Sequence, residues 1–147
     1  MRGILLSVLG GLACLPTWTQ AASCREVVEK LNQQLATPVE VTALAETLTT
    51  LGKTGALPPR FVTKREAKSA GWSPGTPFQR IPDLVGKSMG GDRFGNHERR
   101  LPAGDWREAD LDYRGGKRNA KRLLFSSQHR FVTVDHYQTF TEVAPCQ

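Results

Sequence analysis

The chain has 147 residues, of which 20 are Lys or Arg, 14 are Asp or Glu and 39% are hydrophobic, for a formal charge of +6. This length supports one domain around a single core. The basic excess favours polyanionic partners, nucleic acid or an anionic membrane surface. Beyond residue 16 no stretch is apolar enough to cross a bilayer, which excludes a multi-span membrane protein.

In chain order, Met1 and Arg2 make a minimal positive n-region, and GILLSVLGGLACLP is an uncharged apolar run of 14 residues. Small residues Ala21, Ala22 and Ser23 come after a polar stretch. This order predicts a secretory signal peptide over residues 1–23, too short to span a membrane as a helix. The remainder is then expected outside the cytoplasm, extracellular or periplasmic, without stable membrane association. Its 20 basic residues, less Arg2, number 19 against 14 acidic ones, so it stays cationic.

Of three cysteines, Cys14 leaves with the leader, and Cys24 and Cys146 remain at the two ends. An oxidising compartment predicts one disulfide between them. Closing so long a loop is worth about 4–5 kcal/mol in the chain-entropy model.

CREVVEKLNQQLA carries Val27, Val28, Leu31 and Leu35 at helical spacing and predicts an amphipathic N-terminal extension over residues 24–38, broken at Thr37 and Pro38. VEVTALAETLTTLG predicts a second helix with Val41, Leu44, Leu48 and Leu51 inward and Gly52 as its C-terminal cap. Thr63 and Glu66 have capping-box spacing, so a short third helix starts there and ends near Gly71. SPGTPFQRIPDLVGKSMGGDRFGN is dense in Pro and Gly and predicts loops with at most a helical turn and a short strand. From Trp106 strands dominate: WREADLDY, KRLLFSS, RFVTVD and TFTEV. Helices first and strands afterwards predict an α+β domain on an antiparallel sheet, with one face covered by helices and the other open to ligands.

The open face is where chemistry is expected. In WREADLDY, Glu108 and Asp110 are two residues apart and so share one side of the strand, and the glycine turn that follows returns Arg118 and Arg122 opposite them. Such a pattern is either a solvated ion-pair network or a site with Glu108 as general base and Asp110 orienting the arginines. His136, far along the chain, offers an imidazole able to exchange protons near neutrality, and Tyr137 beside it can stack or pack. No CxxC, HExxH, P-loop or GxSxG motif is present, so no metal and no cofactor are expected. A carboxylate, an imidazole and several fixed cations suit metal-free phosphoryl transfer from RNA.

LPPRFVTKREAKSAGW, GKSMGGDRFGN with HERRLP, WREADLDY with RGGKRNAKRLLFSS, and VDHYQTFTEV together resemble barnase and its family of secreted microbial guanyl-preferring ribonucleases. The resemblance runs from about residue 39 to 143, making residues 39–147 the ribonuclease domain. It implies three N-terminal helices, one very short, packed on a five-stranded antiparallel sheet. It implies an endoribonuclease that cuts single-stranded RNA, first by transesterification to a 2′,3′-cyclic phosphate and then by slower hydrolysis. Glu108 falls on the family's base and His136 on its acid, with Lys64, Arg118 and Arg122 on the cations that stabilise the transition state and Asp110 on the carboxylate that holds the arginines. Phe94, Gly95, Asn96, His97 and Glu98 match its guanine-binding loop, and Tyr137 falls between base and reacting phosphate. His97 stands where the family loop has an arginine, and Lys117 adds charge beside the phosphate site. The expected partner is RNA, met by a monomer; a barstar-like acidic inhibitor also suits a basic site. The alternative functions are a cationic RNA-binding module without turnover and a toxin neutralised by such an inhibitor.

Overall fold

The computed structural model describes residue 15 and residues 20–147. The proposed signal peptide therefore lies almost wholly outside the described residues. Helix α1 spans Cys24–Asn32, capped by Ser23 and Glu26 in a reciprocal box, and buries Cys24, Val27, Val28 and Leu31. Four residues before the predicted Ala36 it ends, at Asn32. Its side chain both donates to Val39 O and accepts from Val39 N, each at 2.9 Å.

Helix α2 spans Val41–Thr54. Its N-terminal cap is Glu40, whose carboxylate accepts from Thr42 N and Ala43 N; these backbone donors hold its pKa below the ordinary value. Its C-cap is Gly55, not Gly52. The helix gains most of another turn and ends where Gly55 takes a left-handed φ of 72° and its N–H reaches Leu51 O at 2.9 Å. Helix α3, Lys64–Ser69, has the predicted Thr63–Glu66 box.

Six strands follow one another across the sheet in chain order: β1 (Phe61–Val62), β2 (Ser88–Phe94), β3 (Trp106–Asp110), β4 (Arg122–Phe125), β5 (Arg130–Thr133) and β6 (Thr141–Glu142). The α+β class holds. Five strands form the expected antiparallel meander, and the short β1 adds a sixth, parallel to β2. The Pro- and Gly-rich stretch holds two single-turn 3₁₀ segments, Phe78–Arg80 and Pro82–Leu84, but also all seven residues of β2, more strand than its composition predicts. Glycine is needed there for proximity. A Cβ on Gly90 would sit 2.6 Å from the Phe61 ring and 2.9 Å from the Ala109 methyl, and the register shifts between Gly90 and Asp92 as a bulge.

Alternation along the strands then divides the sheet. Ala109, Leu123, Phe125 and Val132 join Val28, Leu31, Leu44, Leu48 and Leu51 in the main core under α1 and α2. Glu108, Asp110, Arg122 and Leu124 belong to the opposite face by the same alternation. A smaller cluster, Leu101, Trp106 and Leu124 with Phe94, Phe131, Tyr137 and Phe140 against it, carries the loops on that side. Cys24 and Cys146 form the expected disulfide, and Gln147 N donates to Ala22 O beside it, pinning the two ends.

Candidate active site

The open face is organised around Asp110. Pairing of β3 with β4 sets Asp110 opposite Arg122, and the intervening loop brings Arg118 back to the same carboxylate. Arg118 donates through Nε to Oδ2 and through Nη2 to Oδ1, both at 2.7 Å, a two-pronged pair. Arg122 Nε lies 3.1 Å from Oδ1 but is misaligned for a hydrogen bond, so it is held by charge alone. Asp110 is 4% exposed and Arg122 3%, so the carboxylate and one guanidinium are buried, while Arg118 keeps about a third of its side chain, 34%, open to solvent. One anion between two guanidiniums leaves a net positive charge fixed on the face. The bonds to Asp110 raise the Arg118 pKa further, overriding its desolvation. Arg122 is also fixed through Nη1, which donates to Asn119 O and Lys121 O at 2.7 Å.

Two residues along β3 stands Glu108, half-buried, its Oε2 accepting from the Tyr137 hydroxyl at 2.7 Å. Burial first, then this bond and the Glu108 charge, push the Tyr137 pKa far up, so the phenol stays protonated and donates. The His136 ring meets the Tyr137 ring edge-on, centroids 4.9 Å apart. Tyr137 thus touches both the carboxylate and the imidazole proposed from sequence.

His136 lies three residues beyond the end of β5. Strand β5 stops at Thr133, and His136 and Tyr137 sit in the turn beyond it with φ of 54° and 69°, left-handed values that non-glycine residues seldom adopt. The turn is held by Asp135. Its carboxylate accepts from the Thr139 hydroxyl at 2.6 Å, Thr139 N at 2.9 Å, the Thr133 hydroxyl at 2.9 Å and Gln138 N at 3.1 Å. These bonds, the Thr139 hydroxyl foremost, lower its pKa to about 2. His136 N donates across to Ala120 O. Sequence reasoning missed Asp135, although an Asp followed four residues later by Thr is a turn signal of the side-chain-to-backbone kind.

The loop after β2 closes the other side. Phe94 stacks on Tyr137, centroids 5.4 Å apart and planes 15° from parallel. Asn96, φ 46°, donates to Leu101 O and accepts from Leu101 N, so its side chain ties the loop together. The His97 ring lies so close over Gly95 that a Cβ there would collide with it. Arg100 donates to Tyr137 O at 2.9 Å and lies 5.1 Å over the Phe140 ring, joining this loop to the His136 turn. Between them is a cleft of about 370 Å³, lined by Phe94, Asn96, His97, Glu98, His136 and Tyr137 among others. Every residue proposed for base binding therefore borders one cavity, together with His136. Glu98 is exposed and accepts no hydrogen bond among the described residues, which leaves its carboxylate available to a ligand.

Lys64 heads α3, fixed by its own N–H to Asp92 Oδ2 at 3.0 Å; its side chain is exposed and borders neither this cleft nor the larger cavity beside Arg118. Among the described residues no group of three or more His, Cys, Asp or Glu could hold a metal ion. No described helix is long and apolar enough to cross a membrane.

A ribonuclease family model matches residues 44–144. The chain belongs to the ribonuclease family. It is similar to a ribonuclease of Bacillus intermedius and to one of Bacillus pumilus, each 46% identical over 93 residues that cover 59% of this chain and 56% of the relative. A ribonuclease of Heyndrickxia coagulans is 45% identical over 93 residues, covering 59% of this chain and 83% of that one. The chain thus spans little more than half the length of the first two. The family match covers all five β2–β6 strands and both cavity-lining loops, and leaves α1 outside it.

Proposed function

We propose that the chain is an exported endoribonuclease that cuts single-stranded RNA without metal, with residues 24–38 as an added helical clasp and 39–147 as the catalytic domain. The observation that carries this reading is the pair of groups joined through Tyr137: a carboxylate and an imidazole on one face, beside two arginines fixed on Asp110.

In the first step the Glu108 carboxylate takes the ribose 2′-hydroxyl proton while the 2′-oxygen attacks phosphorus. The bond from phosphorus to the 5′-oxygen breaks, and protonated His136 gives that oxygen its proton, leaving a 2′,3′-cyclic phosphate. In the second step neutral His136 takes a proton from water, the water oxygen attacks phosphorus, the bond from phosphorus to the 2′-oxygen breaks, and protonated Glu108 returns its proton to that oxygen. Each group ends in the state in which it began. Arg118 and Arg122 face the charge that builds on the phosphoryl oxygens, and rigid guanidiniums need little reorganisation to do so; Lys64, exposed at the head of α3, is assigned to the same charge by the family resemblance. The neutral Tyr137 phenol holds Glu108 in place and its ring, stacked on Phe94, floors the base cleft.

Guanosine on the 5′ side of the cut is the preferred substrate in this proposal. The free Glu98 carboxylate accepts from the N1 and N2 hydrogens of guanine, a pattern adenine lacks, while backbone N–H groups of the tied loop meet O6. A panel of dinucleoside phosphates with each base on the 5′ side, cleaved in EDTA, tests the proposal. Fast cleavage of the guanosine member with a cyclic phosphate product is expected. Failure to cleave any member in EDTA would overturn the reaction, and equal rates for all four would overturn the preference.

A further inference from the structure

The loop joining β3 to β4 carries Arg118, and the limb by which it returns, residues 119–121, supports two more groups of the site. Ala120 O accepts from His136 N at 3.0 Å, while Asn119 O and Lys121 O both accept from Arg122 Nη1 at 2.7 Å. A shift of this limb would therefore move the imidazole and a guanidinium together. Asn119 ties the limb from within, donating to Leu111 O at 2.8 Å and accepting from Lys121 N at 2.8 Å.

Lys121 ties it from outside. Its ammonium donates to Asp112 Oδ2 at 2.9 Å and to Pro38 O at 2.7 Å. Asp112 in turn accepts from Glu40 N, at 3.1 Å through Oδ1 and 3.3 Å through Oδ2. The Lys121 and Asp112 side chains are only 20% and 15% exposed, so this charge-assisted set is shielded as a surface ion pair is not. Asp112 also holds a left-handed φ of 55°, a conformation that persists only where its surroundings fix it. Pro38 and Glu40 belong to the stretch between α1 and α2, outside residues 44–144 of the family match. That stretch is itself gripped by Asn32 at the end of α1, and α1 begins at the disulfide. An unbroken series of contacts thus runs from the N-terminal clasp to the limb that bears Arg122 and His136.

We infer that Lys121 is a positioning residue for the reaction: with Asp112 it fastens the catalytic loop to the segment that follows α1, and so fixes Arg122 and the His136 turn against the reacting phosphate. The inference rests on the ribonuclease reading. It also gives the added helix a part in catalysis, as the anchor of that fastening. The loop after β2, which bounds the base cleft, makes no hydrogen bond to Lys121 among the described residues. Loss of the fastening therefore spares substrate binding and weakens the transition state, a loss in kcat more than in KM.

The test is steady-state cleavage of a guanosine dinucleoside phosphate in EDTA, with circular dichroism to show that each variant is folded. Lys121→Met keeps the apolar stem and removes the ammonium, whereas Lys121→Arg keeps a charged donor. In Lys121→Met kcat is expected to fall about tenfold, since small misplacements of reacting groups carry losses of this size. KM should stay within about twofold of the parent, and Lys121→Arg should regain most of kcat. In an Arg122→Ala background the same Lys121→Met change should cost a smaller factor, because one of the groups it positions is gone. If Lys121→Met does not fold, Asp112→Asn carries the same comparison with a smaller loss in the same direction. Parental kcat in the folded variant, a loss confined to KM, or an equal factor in both backgrounds would overturn the role. Failure of the parent to cut the dinucleoside would instead remove the ribonuclease reading and this role with it.

Discussion

Ala109 and Leu123 point from β3 and β4 into the core beneath α1 and α2, whereas their chain neighbours Glu108, Asp110 and Arg122 belong to the other face of the same two strands. On the helix side every neighbour is apolar and the contacts are interchangeable, so burial alone dictates the arrangement. On the other side a buried carboxylate is committed to two guanidiniums, and two consecutive residues hold left-handed backbone. The first face stores stability. The second spends part of it to hold charge and backbone in place, and site residues of this kind are the ones whose removal can leave a protein more stable and less active.

Asp110 is both buried and part of the open face, and it should show the largest combined effect. Asp110→Ala leaves two guanidiniums facing each other with their common anion gone, and a loss of about 3–5 kcal/mol is expected on breaking a buried network of this kind. Urea unfolding should report that loss together with collapse of RNA cleavage; a variant as stable as the parent would mean that the Asp110–Arg122 pair is not buried as described. Next is Leu123→Ala, fully buried under the helices, with an expected cost of about 2–5 kcal/mol. Its folded fraction should keep parental kcat, and a large kcat loss in fully folded protein would erase the division between the faces.

The smallest effect comes from pH. The folded Asp135 pKa, about 2, lies below its ordinary 3.8. Its four bonds thus contribute stability that is complete above 3.8 and is lost as pH falls through about 2. Thermal melts across that window should show the parent losing stability more steeply than Asp135→Asn. Identical slopes would mean that the turn carrying His136 does not depend on this carboxylate.

The helix side was the more legible in the sequence. Leucine and valine spacing located α1 and α2, and capping boxes mark the start of α1 at Ser23 and of α3 at Thr63, the second of these foreseen. Period-two charge on β3 was enough to put Glu108 and Asp110 on one face with Arg118 and Arg122 returning to it. The rest depended on long-range geometry. Gly90 reads as a strand breaker until Phe61 and Ala109 are seen to crowd it. Gly52 and Gly55 are equally good caps in isolation, and only the continuation of α2 chooses between them. The Arg100 link and the cavity under Trp72 and Tyr113 join residues from separate segments, and no local pattern announces such meetings; the Asp135 turn is local, and its Asp-to-Thr spacing was a legible signal that sequence reasoning missed.

The central claim is that Glu108 and His136 exchange protons with one phosphodiester. Single-turnover transesterification of a guanosine dinucleoside phosphate in EDTA, measured for Glu108→Ala and His136→Ala alongside circular dichroism, tests it most directly. The account predicts a rate lower by about 10²–10⁴-fold in each, with the fold intact. Parent-like rates in either variant would contradict it.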